Sequence, residues 1–290
     1  MSGYVIITPV RDEEAFIEGT IRSVVSQTAL PLQWVIVDDG STDRTAEIVG
    51  GYLAANHWIK LVRLTDRGYY HAGAGVVEAF YKGYENLSAT GYDFIVKLDG
   101  DVSFERGYFE MLLKRFDEDR RLGIASGSLI MPVGGSFVME DTQPDHPIGA
   151  SKMYRKECFL DIGGLKAIPG WDTADVLTAQ MKGWETRRFP DISFVHYRPT
   201  GTRRKGISGG KFYLGRMQYR FGYTLSYTLL KAAYRSFERP YIIGSLSLVA
   251  GYMASLIKGE GRLFDEELVR FLRAKHRKYL LDRLSFRRAA

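Results

Sequence analysis

The sequence has little of what builds cysteine-based sites or membrane-spanning segments. Cys158 is the only cysteine among 290 residues, which excludes an internal disulfide and a cysteine-based metal site. The N-terminus enters a strand-like run without the basic and apolar regions of a signal peptide, so we expect a cytoplasmic location. The uncharged run 240–257 has eighteen residues, including two Gly and three Ser, which is the short limit for a membrane span.

Acidic residues are scarce in the last third of the chain. Residues 198–290 contain 20 Lys and Arg but 6 Asp and Glu, a net charge of +14, whereas residues 1–197 have a net charge of −8. A strongly basic segment favours an anionic partner such as a membrane surface, phosphates or nucleic acid. Because no zinc finger, aromatic RNA-binding signature or basic heptad accompanies the charge, we expect no nucleic-acid partner.

The order of apolar segments predicts the fold class. Strand-like runs cover residues 4–8, 34–37, 59–64 and 92–98. They alternate with segments whose apolar residues recur at helical spacing, which predicts an α/β domain with a mainly parallel sheet. Ligands of such sheets bind beyond the carboxyl ends of the strands. The segments that follow the four strands should therefore meet in one crevice: residues 9–13, 38–39, 67–75 and 99–101.

The fourth strand ends at two carboxylates separated by one glycine, Asp99-Gly100-Asp101. Carboxylate oxygens suit Mg²⁺ or Mn²⁺, and these ions keep open positions for substrate phosphates. Asp and Gly also dominate turns, so a plain turn that closes the strand fits the spacing as well. Two further acids at the end of the second strand, Asp38 and Asp39, favour the metal site, because a chance turn would not coincide with them.

Four motifs together resemble those of the family-2 glycosyltransferases of the GT-A fold, over residues 4 to about 200. They are Ile-Ile-Thr-Pro-Val-Arg-Asp-Glu-Glu at 6–14, Ser-Gln-Thr at 26–28, Val-Ile-Val-Asp-Asp-Gly-Ser-Thr-Asp at 35–43 and Lys-Leu-Asp-Gly-Asp at 97–101. The resemblance implies an inverting enzyme with a nucleotide-diphosphate sugar donor and a divalent metal, Mn²⁺ or Mg²⁺. It also implies a carboxylate base that deprotonates the acceptor hydroxyl.

Residue by residue, the resemblance implies roles on the donor side. It places four residues along or near the nucleoside pocket: Pro9, Arg11, Glu13 and Arg67. Arg11 stands where the family more often has Asn. Asp39 would accept hydrogen bonds from the base or ribose, with Asp38 behind it. Asp99 would reach the ribose or a metal-bound water, and Asp101 would bind the metal. A helix N-terminus also favours acids, so a structural role for Glu13 stays open.

The acceptor side contains the candidate base. In the family this base lies in a Glu-Asp pair about eleven residues before a Gly-aromatic pair, here Gly183-Trp184. That spacing implies Asp172 as the base, with Trp171 in place of the usual Glu. Asp175 follows one helical turn later on the same helix face and is the second candidate. Asp is also a favoured helix N-cap, so a capping role for Asp172 stays open.

Another apolar strand ends at His196. A lone His in this position is typically structural, but the resemblance implies that His196 completes the metal site, and imidazole suits Mn²⁺. The basic segment 201–211 either closes over the diphosphate or forms a solvated loop. Residues 134–147 lack periodicity, and we expect them to form a loop over the site.

The last part of the chain, residues 206–290, is predicted to be basic and helical, with one helix from Gly215 to Ala233. Positive residues flank the run 240–257 on both sides, which favours an interfacial or re-entrant helix over a crossing one. The alternative is a helix that packs within the protein through its small residues. We expect residues 206–290 to contact a membrane surface, which would make the protein peripheral or monotopic on the inner face of the cell membrane.

These expectations define two domains and one activity. The GT-A domain covers residues 1–205, with nucleotide-sugar binding in 1–104 and the acceptor side in 105–205, and the helical region covers 206–290. The expected activity is metal-dependent transfer of a sugar to a hydroxyl of a lipid-linked or cell-envelope glycan. Two alternatives stay open: transfer to a polyprenyl phosphate, which needs no base, and a non-catalytic nucleotide-sugar-binding membrane scaffold.

Overall fold

A computed structural model of the chain describes residues 3–66, 68, 73–133, 136–139, 143–198, 206–236 and 241–286. The chain divides into two units, Met1–Pro199 and Thr200–Ala290. We describe each unit by itself.

A nine-stranded mixed sheet forms the first unit. Its strands are β1 Gly3–Val10, β2 Gln33–Asp38, β3 Ile59–Arg63, β4 Tyr92–Leu98, β5 Val102–Phe104, β6 Leu122–Val133, β7 Ser136–Met139, β8 Ser151–Arg155 and β9 Glu185–His196. The order is β3-β2-β1-β4-β8-β6-β9-β5, with β7 paired to β6. β1 to β4 are mutually parallel, β8 is antiparallel to both of its neighbours, and β5 is antiparallel to β9. The predicted α/β fold with a mixed sheet is confirmed.

Helices cover both faces of this sheet. They are α1 Ile17–Val25, α2 Thr45–Leu53, α3 Ala74–Glu85, α4 Tyr108–Glu118, α5 Lys156–Asp161 and α6 Trp171–Met181. Successive strand residues point to opposite faces. In β1, Ile6 therefore packs with the apolar residues of α1, α2 and α4, whereas Val5 and Ile7 pack with those of α3, α5 and α6. This alternation gives three layers with an apolar core on each side of the sheet.

Three strands differ from what periodicity predicts. Residues 136–139, expected within a loop, pair with β6 as β7, although the flanking residues 134–135 and 140–142 lie outside the described part. β5 has only three residues, too few for a periodic pattern. β9 begins at Glu185, well before the predicted apolar segment. The sequence pattern conceals this start because Pro190 interrupts the strand. The β6–β9 register shifts beside this proline, which cannot donate to the ladder.

The described residues of the second unit form four helices: α7 Gly206–Arg220, α8 Leu225–Arg235, α9 Tyr241–Ile257 and α10 Glu266–Phe286. The helix predicted from Gly215 to Ala233 is in fact two helices. Gly222 has a φ of 90°, and the Thr224 side chain caps α8 by accepting from the Tyr227 amide. Residues 206–211 belong to α7 and not to a loop, while 201–205 lie outside the described residues.

α7 and α9 pack with their backbones in contact. A Cβ built on Gly215 would lie 1.8 Å from the Leu248 carbonyl oxygen, and one on Gly251 would lie 1.9 Å from the Phe212 carbonyl oxygen. The buried residues of α9 therefore include Gly244 and Gly251, so one face of this helix packs within the protein through small residues. Among the described residues, no helix is both long enough and apolar enough to cross a bilayer.

Candidate functional site

The Asp-Gly-Asp motif connects the middle of the sheet to its edge. Asp99 directly follows β4, and its amide donates to the Ala150 carbonyl (2.8 Å). Asp101 leads into β5, which pairs with β9 so that Val102 lies opposite His196. The Tyr197 amide in turn donates to the Asp101 carbonyl (3.0 Å). The motif is therefore not a turn between neighbouring strands, and it brings residues from β4, β5 and β9 together.

Close packing explains the glycine between the two carboxylates. A Cβ on Gly100 would lie 2.7 Å from the Val10 side chain and 3.4 Å from Cγ of Glu13. The buried Thr20 hydroxyl, on α1, holds the same segment through the Gly100 and Val102 carbonyls (2.8 and 2.7 Å). It also accepts from the Val102 amide (3.2 Å). Sequence reasoning missed Thr20, because its position in the helix gives no sign of a partner 80 residues away.

Asp99, Asp101 and His196 form a possible metal-binding group. One ligand atom from each lies within 4.8 Å of the others. Nε2 of His196 is 3.2 Å from Oδ1 of Asp101, and its buried Nδ1 has no hydrogen-bond partner among the described residues. Two carboxylates and an imidazole suit Mn²⁺ or Mg²⁺. The residues present therefore fit the metal that the sequence predicted.

Electrostatics favour ionised groups at this position. Burial opposes ionisation of Asp101, but hydrogen bonds and charge interactions with His196 and Arg198 outweigh it and lower its pKa to about 2. Burial likewise opposes protonation of His196, yet the Asp101 carboxylate raises the pKa of His196 above its ordinary value. Asp101 is thus a carboxylate at neutral pH, as a metal ligand must be.

A buried lysine holds the other carboxylate of the motif. Lys97, on β4, donates to Oδ1 of Asp99 and to the Gly149 carbonyl (3.1 Å). Its ammonium also lies 5.0 Å from the ring centroid of Trp171. Lys97 therefore neutralises Asp99, whereas Asp101 faces His196. The two carboxylates therefore have different surroundings, and the separate roles that the resemblance implies stay a prediction.

Arg198 links the motif to the first loop. Its Nε donates to Oδ2 of Asp101 (2.8 Å), and a terminal nitrogen donates to Oε1 of Glu13. The Glu13 carboxylate thus contacts an arginine and not the amides of α1. Burial raises its pKa to about 7 despite Arg198, and its Oε2 is buried without a hydrogen-bond partner among the described residues. Sequence reasoning gave Arg198 no role, although its place just beyond β9 was a usable signal.

Loops at the ends of β1 and β2 form the opposite border. The Asp39 amide donates to the Val10 carbonyl (2.8 Å), so buried Asp39 lies beside the end of β1. Asp38 accepts from the Ser41 amide (2.8 Å) and holds the turn behind it. Arg11 forms an ion pair with Asp66 (2.7 Å). Pro9 lies in β1 opposite Val37. Arg67 lies outside the described residues.

The first turn of α6 places Asp172 next to Gly149. A Cβ on Gly149 would come 3.2 Å from Cβ of Asp172 and 3.4 Å from its Oδ2. The Gly149 carbonyl also accepts a hydrogen bond from Lys97, which contacts Asp99. Asp172 therefore lies on the same border of the site as Asp99. Gly170, with a φ of 80°, is the N-cap residue of α6, so Asp172 does not cap the helix. Its half-buried side chain remains available for chemistry.

Asp175 is not placed as expected. Its carboxylate is fully buried, where it accepts from the Lys152 ammonium (2.9 and 3.1 Å) and the Tyr154 hydroxyl. Positions three apart on a helix differ by about 60°, and here that offset places the Asp175 carboxylate against Lys152 and Tyr154 of β8, whereas Asp172 lies beside Gly149. Lys152 also donates to the Asp172 carbonyl (2.8 Å). The pair therefore fixes the first turn of α6, and Asp175 does not face the cleft.

Known proteins resemble this chain both in sequence and in fold. The sequence model of the family described as glycosyl transferase family 2 matches residues 5–162. The 4,4'-diaponeurosporenoate glycosyltransferase of Staphylococcus aureus is 30% identical and aligns with 66% of this chain and 56% of its own length. Aligned segments span 10% to 56% of the length of the curated relatives that the chain matches.

Solved structures share the fold. The mannosyltransferase PcManGT from Pyrobaculum calidifontis, in complex with GDP-Man and Mn²⁺, has a TM-score of 0.57 at 18% identity over 96% of this chain and 80% of that one. S. aureus TarS 1–349, in complex with UDP, has a TM-score of 0.54 at 15% identity over 88% and 72%.

Proposed function

The chain belongs to glycosyl transferase family 2, and on that basis we propose that it moves a sugar from a nucleotide-diphosphate donor to an acceptor hydroxyl. The observation that carries the proposal is the group of Asp99, Asp101 and His196 at the carboxyl end of β4. Ligands of parallel sheets bind at this end. The likeness to structures solved with UDP, or with GDP-Man and Mn²⁺, supports a nucleotide-sugar donor.

Asp101 and His196 would bind the divalent cation, Mn²⁺ or Mg²⁺, and Asp99 would contact the ribose or an outer-shell water. When bound, such a cation neutralises negative charge on the departing nucleoside diphosphate. Lys97 keeps Asp99 oriented toward this position. The nucleoside would lie along the loops at the ends of β1 and β2, against six residues: Pro9, Arg11, Glu13, Asp38, Asp39 and Arg67.

Asp172 would act as the base. A half-buried carboxylate without a capping role can accept the proton of an acceptor hydroxyl, which then attacks the sugar on the face opposite the leaving group, with inversion. Asp175 would be a positioning residue. Through Lys152 it holds the backbone of Asp172, and so sets where that carboxylate lies.

The acceptor would be a lipid-linked or cell-envelope glycan at a membrane surface. α8 and α9 contact each other, because the Ser245 hydroxyl donates to the Ala232 carbonyl (2.7 Å). Both helices expose large apolar side chains: Leu229, Leu230, Tyr234, Tyr241, Ile242, Ile243 and Leu246. We name these seven residues the apolar face. Lys231 and Arg235 lie among them in the sequence, and this combination favours the interface of an anionic bilayer.

The activity is tested with purified protein, Mn²⁺ and a panel of nucleotide sugars. We expect Asp172→Asn to bind the donor normally but to lower the transfer rate by about 10³-fold, the range of a general base. Asp101→Asn should abolish metal-dependent donor binding in calorimetry. The control is Asp191→Asn, which changes an exposed carboxylate on β9 that pairs with Arg115 of α4, and it should change neither quantity.

Two outcomes would change the proposal. If no nucleotide sugar is hydrolysed or transferred, the chain is a binding protein and not an enzyme. If Asp172→Asn retains full activity, the acceptor is already ionised, as a polyprenyl phosphate is, and Asp172 is not a base.

A further inference from the structure

An arginine shares the carboxylate that would bind the metal. Arg198 donates from Nε to Oδ2 of Asp101 (2.8 Å), while Oδ1 of the same carboxylate lies 3.2 Å from Nε2 of His196. The other end of the guanidinium reaches Oε1 of Glu13. Both oxygens of Asp101 therefore have partners on this chain, and one of these partners, Arg198, is permanently charged.

Burial shows why these acids need a counter-charge. The side chains of Asp101 and Glu13 are only 7% and 10% exposed, whereas that of Arg198 is 31% exposed. A buried carboxylate that loses its counter-charge destabilises the fold, because the charge is then neither solvated nor paired. Arg198 supplies one charge to two acids, because Nε and a terminal nitrogen of its planar fork donate to different carboxylates.

The fold holds the Asp101 carboxylate in place, whereas the Arg198 guanidinium lies at the surface. Asp101 is held between Thr20 contacts on one side and the β5–β9 pairing on the other. Arg198 follows the end of β9, and its guanidinium rests at the surface, 5.4 Å from the Phe16 ring centroid. The arginine side chain can therefore turn toward solvent while the acids stay in place.

We propose that Arg198 is an internal counter-ion that a divalent cation displaces from Asp101. The proposal rests on the metal site of the proposed function. A cation held by Nε2 of His196 and Oδ1 of Asp101 would lie on a carboxylate whose other oxygen accepts from Arg198. Two positive groups on one carboxylate also repel each other strongly at this burial. Metal binding therefore includes the loss of the Arg198–Asp101 contact, and the affinity for the metal is lower than the ligands alone would give.

The direct test is the affinity of the full chain for Mn²⁺ alone, measured by the electron paramagnetic resonance signal of free Mn²⁺. We expect Arg198→Gln to bind Mn²⁺ about tenfold more tightly than the wild type, since one ion-pair contact no longer competes. Arg198→Lys keeps the charge but has a single donor nitrogen in place of the two that contact Asp101 and Glu13, so its affinity should lie between the two. Arg63→Gln, which removes a cation that contacts Asp38 instead, should match the wild type.

A second readout follows Arg198 itself in the wild-type protein. Its Nε–H resonance, assigned by its loss in Arg198→Gln, should be protected from solvent exchange without metal and lose that protection when Mg²⁺ is added. The variant serves only for the assignment, and the exchange itself is measured on the wild-type protein.

Each result is decisive. Equal or weaker Mn²⁺ binding by Arg198→Gln, or an Nε–H that Mg²⁺ leaves unchanged, overturns the proposal while the metal site stands. Arg198→Lys that binds Mn²⁺ as tightly as Arg198→Gln would mean that the positive charge does not compete with the metal, and it also overturns the proposal. If neither the wild type nor Arg198→Gln binds Mn²⁺, then both this proposal and the metal site are wrong. Loss of binding in Asp101→Asn identifies the site.

Discussion

Single hydroxyl and amine groups hold the site together at the residue scale. Thr20 and Lys97 are both buried. Thr20 donates a hydrogen bond to Gly100, 80 residues away in the sequence, and Lys97 donates to Asp99 in the adjacent motif. Such contacts are not visible in the sequence, because side-chain partners depend on the fold. The candidate ligands were visible: Asp99, Asp101 and His196 follow strands, and the structure brings them together.

Thr20→Val should weaken metal binding without removing any ligand. The change leaves the Val102 amide without its buried partner, which costs about 1–3 kcal/mol, and loosens the link between Asp99 and Asp101. We expect Mn²⁺ affinity to fall about tenfold and the unfolding temperature to fall as well. Thr28→Val, at an exposed threonine on a loop, is the matched control and should be neutral. An unchanged Mn²⁺ affinity would mean that Thr20 only packs.

His276 should make the helical unit sensitive to acid. Burial, followed by Lys231 and Lys275, lowers its pKa from 6.5 to about 4. Below pH 6.5 the unfolded chain binds a proton that the folded chain does not, so stability is full above pH 6.5 and declines toward pH 4. Solvent screening of this half-buried ring limits the loss to about 1–2 kcal/mol.

The control for this pH effect is His276→Phe, which keeps the stacking on Tyr227 (3.7 Å between ring centroids) and removes the titration. Denaturant unfolding of both proteins at pH 7 and pH 4.5 gives the comparison. If the difference between wild type and variant is the same at both pH values, His276 does not titrate with folding.

At the element scale, strands that alternate with helices were predictable, and short or interrupted elements were not. β1 to β4 and α1 to α4 carry strong apolar patterns, which a core on each sheet face demands. β5 is defined by its pairing with β9 and not by its three residues. The break between α7 and α8 depends on Gly222 and the Thr224 cap, which a run rich in Tyr and Arg conceals.

Gly251→Ala should separate α7 from α9. The added methyl would lie 1.9 Å from the Phe212 carbonyl oxygen, so the two backbones must move apart. Overpacking of this kind costs about 1–3 kcal/mol. Hydrogen exchange of the α9 amides should accelerate accordingly. The control is Gly209→Ala on α7, whose added methyl would meet no neighbouring atom within 4 Å. Exchange of the α7 amides should slow slightly in this variant, since Ala favours helix by about 1 kcal/mol. Unchanged α9 exchange in Gly251→Ala would contradict this close packing.

At the scale of the whole molecule, the distribution of charge predicted an acidic part, residues 1–197, and a basic part, residues 198–290. The acidic part contains the candidate site, and the basic part consists of helices, one of which packs through small residues and still exposes apolar ones. The packed alternative for the run 240–257 describes the buried side of α9, and the interfacial alternative stays a prediction for its exposed side. The sequence could not separate them, because a helix can bury one side and expose the other.

The apolar face should bind anionic vesicles. Ile242, Ile243 and Leu246 replaced together by Ser should lower partitioning onto phosphatidylglycerol-containing vesicles roughly a hundredfold, at about 1 kcal/mol for each partly inserted side chain. Binding of the wild type should weaken at high salt, because Lys and Arg contribute. Leu160→Ser, an exposed leucine on α5, is the control and should change nothing. A wild type that ignores these vesicles, or that self-associates through this face, would contradict a membrane role.

The path of the chain between β4 and β5 has a consequence for heat inactivation. Asp99 follows a strand in the middle of the sheet, whereas Asp101 precedes the short edge strand β5 and His196 ends β9, the strand with which β5 pairs. Edge strands open locally at a lower free energy than central ones. Fraying of three residues would separate the ligands while the rest of the sheet stays folded. Activity should therefore be lost reversibly several degrees below the cooperative melting of the sheet, and bound Mn²⁺ should narrow that gap.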